Sequence, residues 1–167
     1  MQHFSDHETH RKLDSIDRNI LSILQDNGRI ANVDLARQVH LSPSPCLARV
    51  KALEREGFID KYVALLDPKA LGLGVEVFIQ IRMEKQLQTA FGQFEKMVAT
   101  RPEVLKCCLI TGTADFLVHV MVPDLDAYQL LLTEFVSKIP GVANTQSSIV
   151  LRQVKSVTSL PVPREPK

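Results

Sequence analysis

The chain has 167 residues, of which 45% are hydrophobic and 23% charged, proportions that fit one globular domain or two small ones. That composition excludes a disordered chain and a collagen-like one. With 20 Lys+Arg against 19 Asp+Glu the net charge is only +1, so a nucleic-acid surface has to come from local clustering and not from a basic chain overall.

No apolar run is long enough for a membrane-spanning helix. The opening stretch MQHFSDHETHRKLD is polar and lacks the apolar segment of a signal peptide. The expected location is the cytoplasm. Cys46, Cys107 and Cys108 form no disulfide framework and have no C-x-x-C zinc spacing. They read as small packed residues, and no metal site is expected.

Residues 1–12 read as a flexible N-terminal arm. A first helix follows, capped by Asp14 or Ser15, with Ile16, Ile20, Ile23 and Leu24 along one face. Gly28 is read as its stop, in the left-handed conformation. A second, short helix runs from Asn32, its expected cap, to Val39, with Leu35, Ala36 and Val39 inward. After His40-Leu41 comes Ser42-Pro43-Ser44-Pro45, where Ser42 suits an N-cap and Pro43 the first helical position. The third helix runs to about Glu56 and stops at Gly57. Its inward face is Leu47, Val50 and Leu53, with Cys46 beside them. Phe58-Ile59, Asp60-Lys61 and the run 62–66 then read as strand, turn and strand.

Pro68, Gly72 and Gly74 mark a hinge. Beyond it Val75, Val77, Ile79, Ile81 and Met83 alternate with polar residues, interrupted only by Phe78, as in a half-buried strand. Leu87, Phe91, Phe94 and Val98, with Ala90 and Met97, are spaced for a helix that Pro102 ends. Residues 104–110 read as a strand, 111–113 as a turn and 116–122 as the next strand. Pro123-Asp124 opens a helix with Leu125, Tyr128, Leu131, Leu132 and Phe135 inward, and 145–154 is a last strand. The order β-α-β-β-α-β is that of a ferredoxin-like domain. The expected fold is therefore α+β. An arm (1–12) precedes a winged helix-turn-helix domain (13–66), a linker (67–74), a ferredoxin-like domain (75–160) and a C-terminal tail (161–167).

Three short helices before a small hairpin follow the plan of a DNA reader, with the third helix as the recognition helix. Its outward residues are Ser44, Ala48, Lys51 and Arg55, with Arg49 beside them. Ser42 and Ser44 can donate to phosphates, and Arg49 and Lys51 are long enough for guanine edges or backbone oxygens. Arg37 and Lys61 are placed for flanking phosphate contacts. Between residues 37 and 61 there are five basic residues and three acids, a bias that a solvated helix face would also show.

The run LDSIDRNILSILQDNGRIANVDLARQVHLSPSPCLARVKALEREGFIDKYVALLDPKALGL resembles the leucine-responsive/AsnC, or feast–famine, family of transcription regulators. So does CCLITGTADFLVHVMVPDLDAYQLLL with the later Ile139-Pro140-Gly141-Val142. The resemblance covers about residues 13–160, and LSPSPCLARVKALE followed by GFI is its most specific part. It implies sequence-specific binding of double-stranded DNA, cytoplasmic and nucleoid-associated. It also implies dimers, joined partly through the strand at 62–66, that assemble into octamers. No cofactor is implied. The implied effector is a small amino acid, leucine or another, held near Thr111, Gly112, Thr113 and Asp115, with Ser147 and Ser148 on the last strand as further candidates. On residue chemistry alone, Gly112 allows close backbone approach. Asp115 suits either an amino group or the closing of a turn through local N–H groups.

No catalytic constellation is present: His119 has no Ser, Cys or Asp at motif spacing, and there is no Gly-rich phosphate loop. Cys107 and Cys108 point to opposite faces of a strand and cannot share a metal. The alternative reading is an amino-acid sensor or oligomerising adaptor that does not bind DNA. A ferredoxin-like enzyme is third, because no site residues support it.

Overall fold

The computed structural model describes residues 11–84 and 88–162, the side chains of 88–90 excepted. The chain divides into two compact units, one formed by residues up to 65 with those from 155 onward, the other by 66–154.

The first unit is built on three helices. Helix α1, Ser15–Asp26, starts where the Asp14 carboxylate accepts the Asp17 N–H at 2.8 Å, so Asp14 is the cap and not Ser15. Ile20 is fully buried, and Ile16, Ile23 and Leu24 pack around it. Gly28 does not adopt the expected left-handed conformation. It serves instead as a point of close approach, since a Cβ there would sit 3.2 Å from the Tyr62 ring. Helix α2, Asn32–Gln38, has Ala31 at its N-cap, so Asn32 is not the cap; its side-chain amide donates to the Pro43 carbonyl at 2.9 Å. The turn out of α2 uses His40 at φ 56°. Helix α3, Pro43–Arg55, has Ser42 at the N-cap position without a side-chain capping bond. It buries Cys46 and Leu53 and half-buries Val50, whereas Leu47 points outward, 42% exposed. Positions 46, 50 and 53 fill one stripe of the helix, and 47 is rotated off it. Gly57, at φ 77°, ends the run.

The expected hairpin at 58–66 is not formed: the segment holds no strand, and Tyr62, Val63, Leu65 and Leu66 are exposed. A two-stranded ribbon is marginal by itself, and the described residues of this unit hold no third strand to support it. At the middle of the segment the Tyr62 hydroxyl donates to Glu54 Oε1 at 3.0 Å. Residues 155–160, expected with the ferredoxin-like domain, group with the first unit instead. There the Gln25 side chain donates to the Leu160 carbonyl at 3.1 Å and accepts the Leu160 N–H at 2.6 Å.

In the second unit the expected linker is docked rather than open. It contains a 3-10 turn at Lys69–Leu71, then Gly72 at φ 75°, and the Gly74 N–H donates to the Pro123 carbonyl at 3.1 Å. A Cβ on Gly74 would lie 2.9 Å from that same oxygen, which is backbone and cannot swing aside. Gly74→Ala is therefore expected to cost ~1–3 kcal/mol of this unit's stability. Denaturant unfolding checks it; an unchanged midpoint would refute the contact.

The elements that follow are β1 (Val75–Met83), α4 (Gln88–Ala99), β2 (Val104–Leu109), β3 (Phe116–Val122), α5 (Leu125–Glu134) and β4 (Val142–Ile149). The sheet order is β2-β3-β1-β4 with all neighbours antiparallel, the ferredoxin-like topology expected. One face is covered by the helices, through Val77, Ile79, Ile81, Phe94, Phe116, Val118, Val120 and Leu131. The other carries Glu76, Phe78 and Gln80 opposite Met121, His119 and Leu117. Leu87 lies outside the described residues, as does the side chain of Ala90. Leu125 is exposed, not inward. The last strand is earlier than the expected 145–154, because β1 begins at Val75 and leaves little strand for 151–154 to pair with.

Candidate nucleic-acid interface and effector site

Helix α3 gathers Ser44, Ala48, Lys51 and Arg55 on one exposed stripe, with Ser42 exposed just before it. The spacing of four, three and four residues puts them on one side of a helix. Lys61 is exposed beyond its C-terminus, and Arg37 is exposed on α2. Arg37 pairs with Asp34 one turn earlier at 2.9 Å. An exposed pair of this kind is worth only ~0.2–1 kcal/mol, so a phosphate can displace the carboxylate.

Arg49 departs from the expectation. Its Nη1 lies 2.7 Å from Asp14 Oδ2 and 2.9 Å from Asp17 Oδ1, and its side chain is only 32% exposed. Its guanidinium is thus committed to α1, not presented beside Lys51. The signal in the sequence was a pair of acids one turn apart at the start of α1. Which arginine they would take depends on how the helices cross, and periodicity is silent on that.

In the second unit Thr111, Gly112 and Thr113 form an exposed turn between β2 and β3, with Gly112 at φ 120°. Asp115 is half-buried and bound on several sides. Its Oδ2 accepts the Met83 N–H at 2.7 Å, its N–H donates to Ile81 and its carbonyl accepts from Ile110. Met83 stands where the β1–β4 register slips, so the carboxylate satisfies a donor at an irregular strand end. Ser147 and Ser148 fall on opposite faces of β4. Ser147 lies opposite Ile79 and accepts from the Tyr128 hydroxyl of α5, whereas Ser148 lies opposite Phe78 on the other face. The period of two that makes the strand prevents both from facing one ligand.

His119 is not solitary. Its Nε2 is 2.7 Å from Glu76 Oε1, and its ring stacks on Phe78 with centroids 4.6 Å apart. Both partners lie across a strand boundary that spacing in the sequence could not bridge. Burial, helped by Cys108 and Glu95, pushes the Cys107 thiol up to about 11, which leaves it protonated near neutral pH. Among the described residues no group of three or more His, Cys, Asp or Glu is gathered as a metal site. No helix among them is long and apolar enough to cross a membrane.

A helix-turn-helix unit with a polar, partly basic third helix, followed by a ferredoxin-like unit, is the build of a DNA-binding transcription regulator. A family model described as winged helix-turn-helix DNA-binding matches residues 13–60, and the Lrp/AsnC ligand binding domain matches 76–160. The leucine-responsive regulatory protein of Escherichia coli K12 is 44% identical over 150 residues, 90% of this chain and 92% of that protein. A Neisseria meningitidis transcriptional regulator solved in complex with L-Met has a TM-score of 0.87 at 41% identity, covering 90% of this chain and 97% of that one. Escherichia coli AsnC has a TM-score of 0.79 at 30% identity, over 90% and 99% of the two chains. The chain belongs to the Lrp/AsnC family of transcription regulators. It is a regulator and not an enzyme.

Proposed function

We propose that this regulator, a cytoplasmic and nucleoid-associated protein, binds double-stranded DNA as a homo-oligomer. In this reading α3 lies in the major groove, and a small amino acid changes its DNA affinity or its oligomeric state. The observation that carries the reading is the exposed Ser44–Ala48–Lys51–Arg55 stripe on the third helix of a helix-turn-helix. Ser42 and Ser44 donate to phosphates at the helix N-terminus, Lys51 and Arg55 reach the groove, and Arg37 and Lys61 hold the flanking backbone.

Leucine is named by the relatives at 44% identity, and L-methionine was bound in the structure at 41%. Both support a small apolar amino acid as effector. The site we assign is Thr111, Gly112, Thr113 and Asp115, with one of Ser147 and Ser148 completing it from β4. Dimers form through the ferredoxin-like domains, with the segment 62–66, whose Val63, Leu65 and Leu66 are 65–70% exposed, helping to join the subunits, and they assemble further into octamers.

The test uses a duplex selected by the wild-type protein from random-sequence DNA. Lys61→Ala should weaken binding to it and to unrelated duplexes alike and lower the slope of log affinity against log salt by about one unit, whereas Lys51→Ala should weaken binding to the selected duplex and flatten preference at one base position. An unchanged slope in Lys61→Ala together with unchanged affinity and preference in Lys51→Ala would refute α3 and its flank as the DNA-contacting surface.

A further inference from the structure

Asp17 is the charged residue fully buried among the described residues. It lies between two arginines: Arg11 Nη1 is 2.6 Å from its Oδ2 and Arg49 Nη1 is 2.9 Å from its Oδ1. Arg49 Nη1 also reaches Asp14 Oδ2 at 2.7 Å, and Arg11 Nε reaches Glu56 Oε2 at 2.6 Å. Five charged groups thus join the residue leading into the domain, the first turn of α1, the middle of α3 and the residue that caps α3. Burial alone would raise the Asp14 carboxyl, but the Asp17 N–H and the Arg49 guanidinium outweigh it and hold it below the usual range.

A buried ion pair is seldom a net gain over apolar residues of the same size, so stability is a weak reason for this arrangement. Its distinctive property is direction. The single Arg49 Nη1 meets both carboxylates, one at the N-cap and one in the first turn of α1, and a donor pinned between two acceptors of one helix accepts few crossing angles between its own helix and theirs. We infer that Arg49 and Asp17 are positioning residues for DNA recognition: they set the angle at which α3 presents Ser44, Lys51 and Arg55, and Arg49 itself touches no base. The inference rests on the reading of α3 as the DNA-contacting helix. Base-edge contacts tolerate displacements of only about 0.5 Å, so a helix free to tilt loses several contacts together.

The experiment compares Arg49→Ala, Arg49→Lys and Asp17→Asn in the full-length protein with Ile16→Ala, an apolar change on α1. All are measured at a temperature where circular dichroism shows each of them fully folded, against the duplex selected by the wild type. Arg49→Ala and Asp17→Asn are expected to bind that duplex about ten-fold or more weakly, with preference flattened across several base positions at once and the salt slope unchanged. Arg49→Lys, which keeps the charge on a shorter side chain that reaches the two carboxylates less well, should fall between them and the wild type. Ile16→Ala should lower the melting temperature while keeping the base preference. If Ile16→Ala loses DNA preference as Arg49→Ala does, the network is structural only and the inference fails. A slope lowered by about one unit in Arg49→Ala makes Arg49 a phosphate contact, and loss of preference at a single base position makes it a base reader; either result overturns the inference. If Lys51→Ala changes neither affinity nor preference in the same assay, the underlying reading of α3 fails, a result separate from any outcome at Arg49.

Discussion

A chain carrying Val63→Asp together with Leu65→Asp is expected to sediment as a monomer and to bind its selected duplex roughly 10²–10⁴-fold more weakly than the wild type. Both residues are apolar and exposed, at 65% and 70%, in a segment that forms no strand within its own unit. Exposed apolar side chains clustered in this way mark a surface that another chain covers. Two carboxylates there would have to be buried against their copies in a two-fold interface, where like charges meet. Losing the dimer removes the second half-site and with it the effective concentration that links the two contacts. The α3 stripe is untouched, so the monomer should keep its residual, salt-dependent affinity. Sedimentation paired with a salt-titrated gel shift checks both parts, and a dimeric double variant would refute the assignment of 62–66.

The second large effect concerns Asp115, whose carboxylate has a structural duty as well as the proposed effector role. Asp115→Ala removes the acceptor of the Met83 N–H, and Met83 is buried. A buried donor left unpaired costs ~1–3 kcal/mol. For a unit of this size that lowers the melting temperature by ~4–8 °C per kcal/mol. Asp115→Asn keeps an oxygen to accept that N–H but drops the charge. If the carboxylate also holds the amino group of an effector, the Asn variant should melt close to the wild type yet lose most of its response to leucine or methionine. A charge-assisted bond of ~1.5–3 kcal/mol is as large as a typical coupling between sites. An Asn variant that responds fully would restrict Asp115 to its role at the strand end.

Much of the proposed site is placed by local periodicity alone. The α3 stripe follows from residues spaced by three and four on a helix whose start is marked by Ser42-Pro43 and whose end is marked by Gly57. The exposed turn at 111–113 follows from Thr-Gly-Thr between two apolar runs. By sequence Arg49 reads as a DNA contact because it is basic and adjacent to Ala48. Its removal from that surface depends on Asp14 and Asp17, more than 30 residues away in the chain. Ser147 and Ser148 are neighbours in the chain, but strand alternation sends them to opposite faces.

By itself the sequence determined the three helices of the first half, the ferredoxin-like order of the second half and the family. These depend on hydrophobic periods, turn residues and motifs that act over a few residues. Tertiary structure decided which polar groups meet. Arg49 and Arg11 converge on Asp17, Gln25 holds Leu160 across 135 residues, and Asp115 serves Met83. It also decided that 58–66 forms no hairpin, although the pattern of residues suits one. A strand exists only where another strand supplies its hydrogen bonds, and a buried charge only where its counter-charge arrives; both depend on how elements cross, which no local spacing encodes.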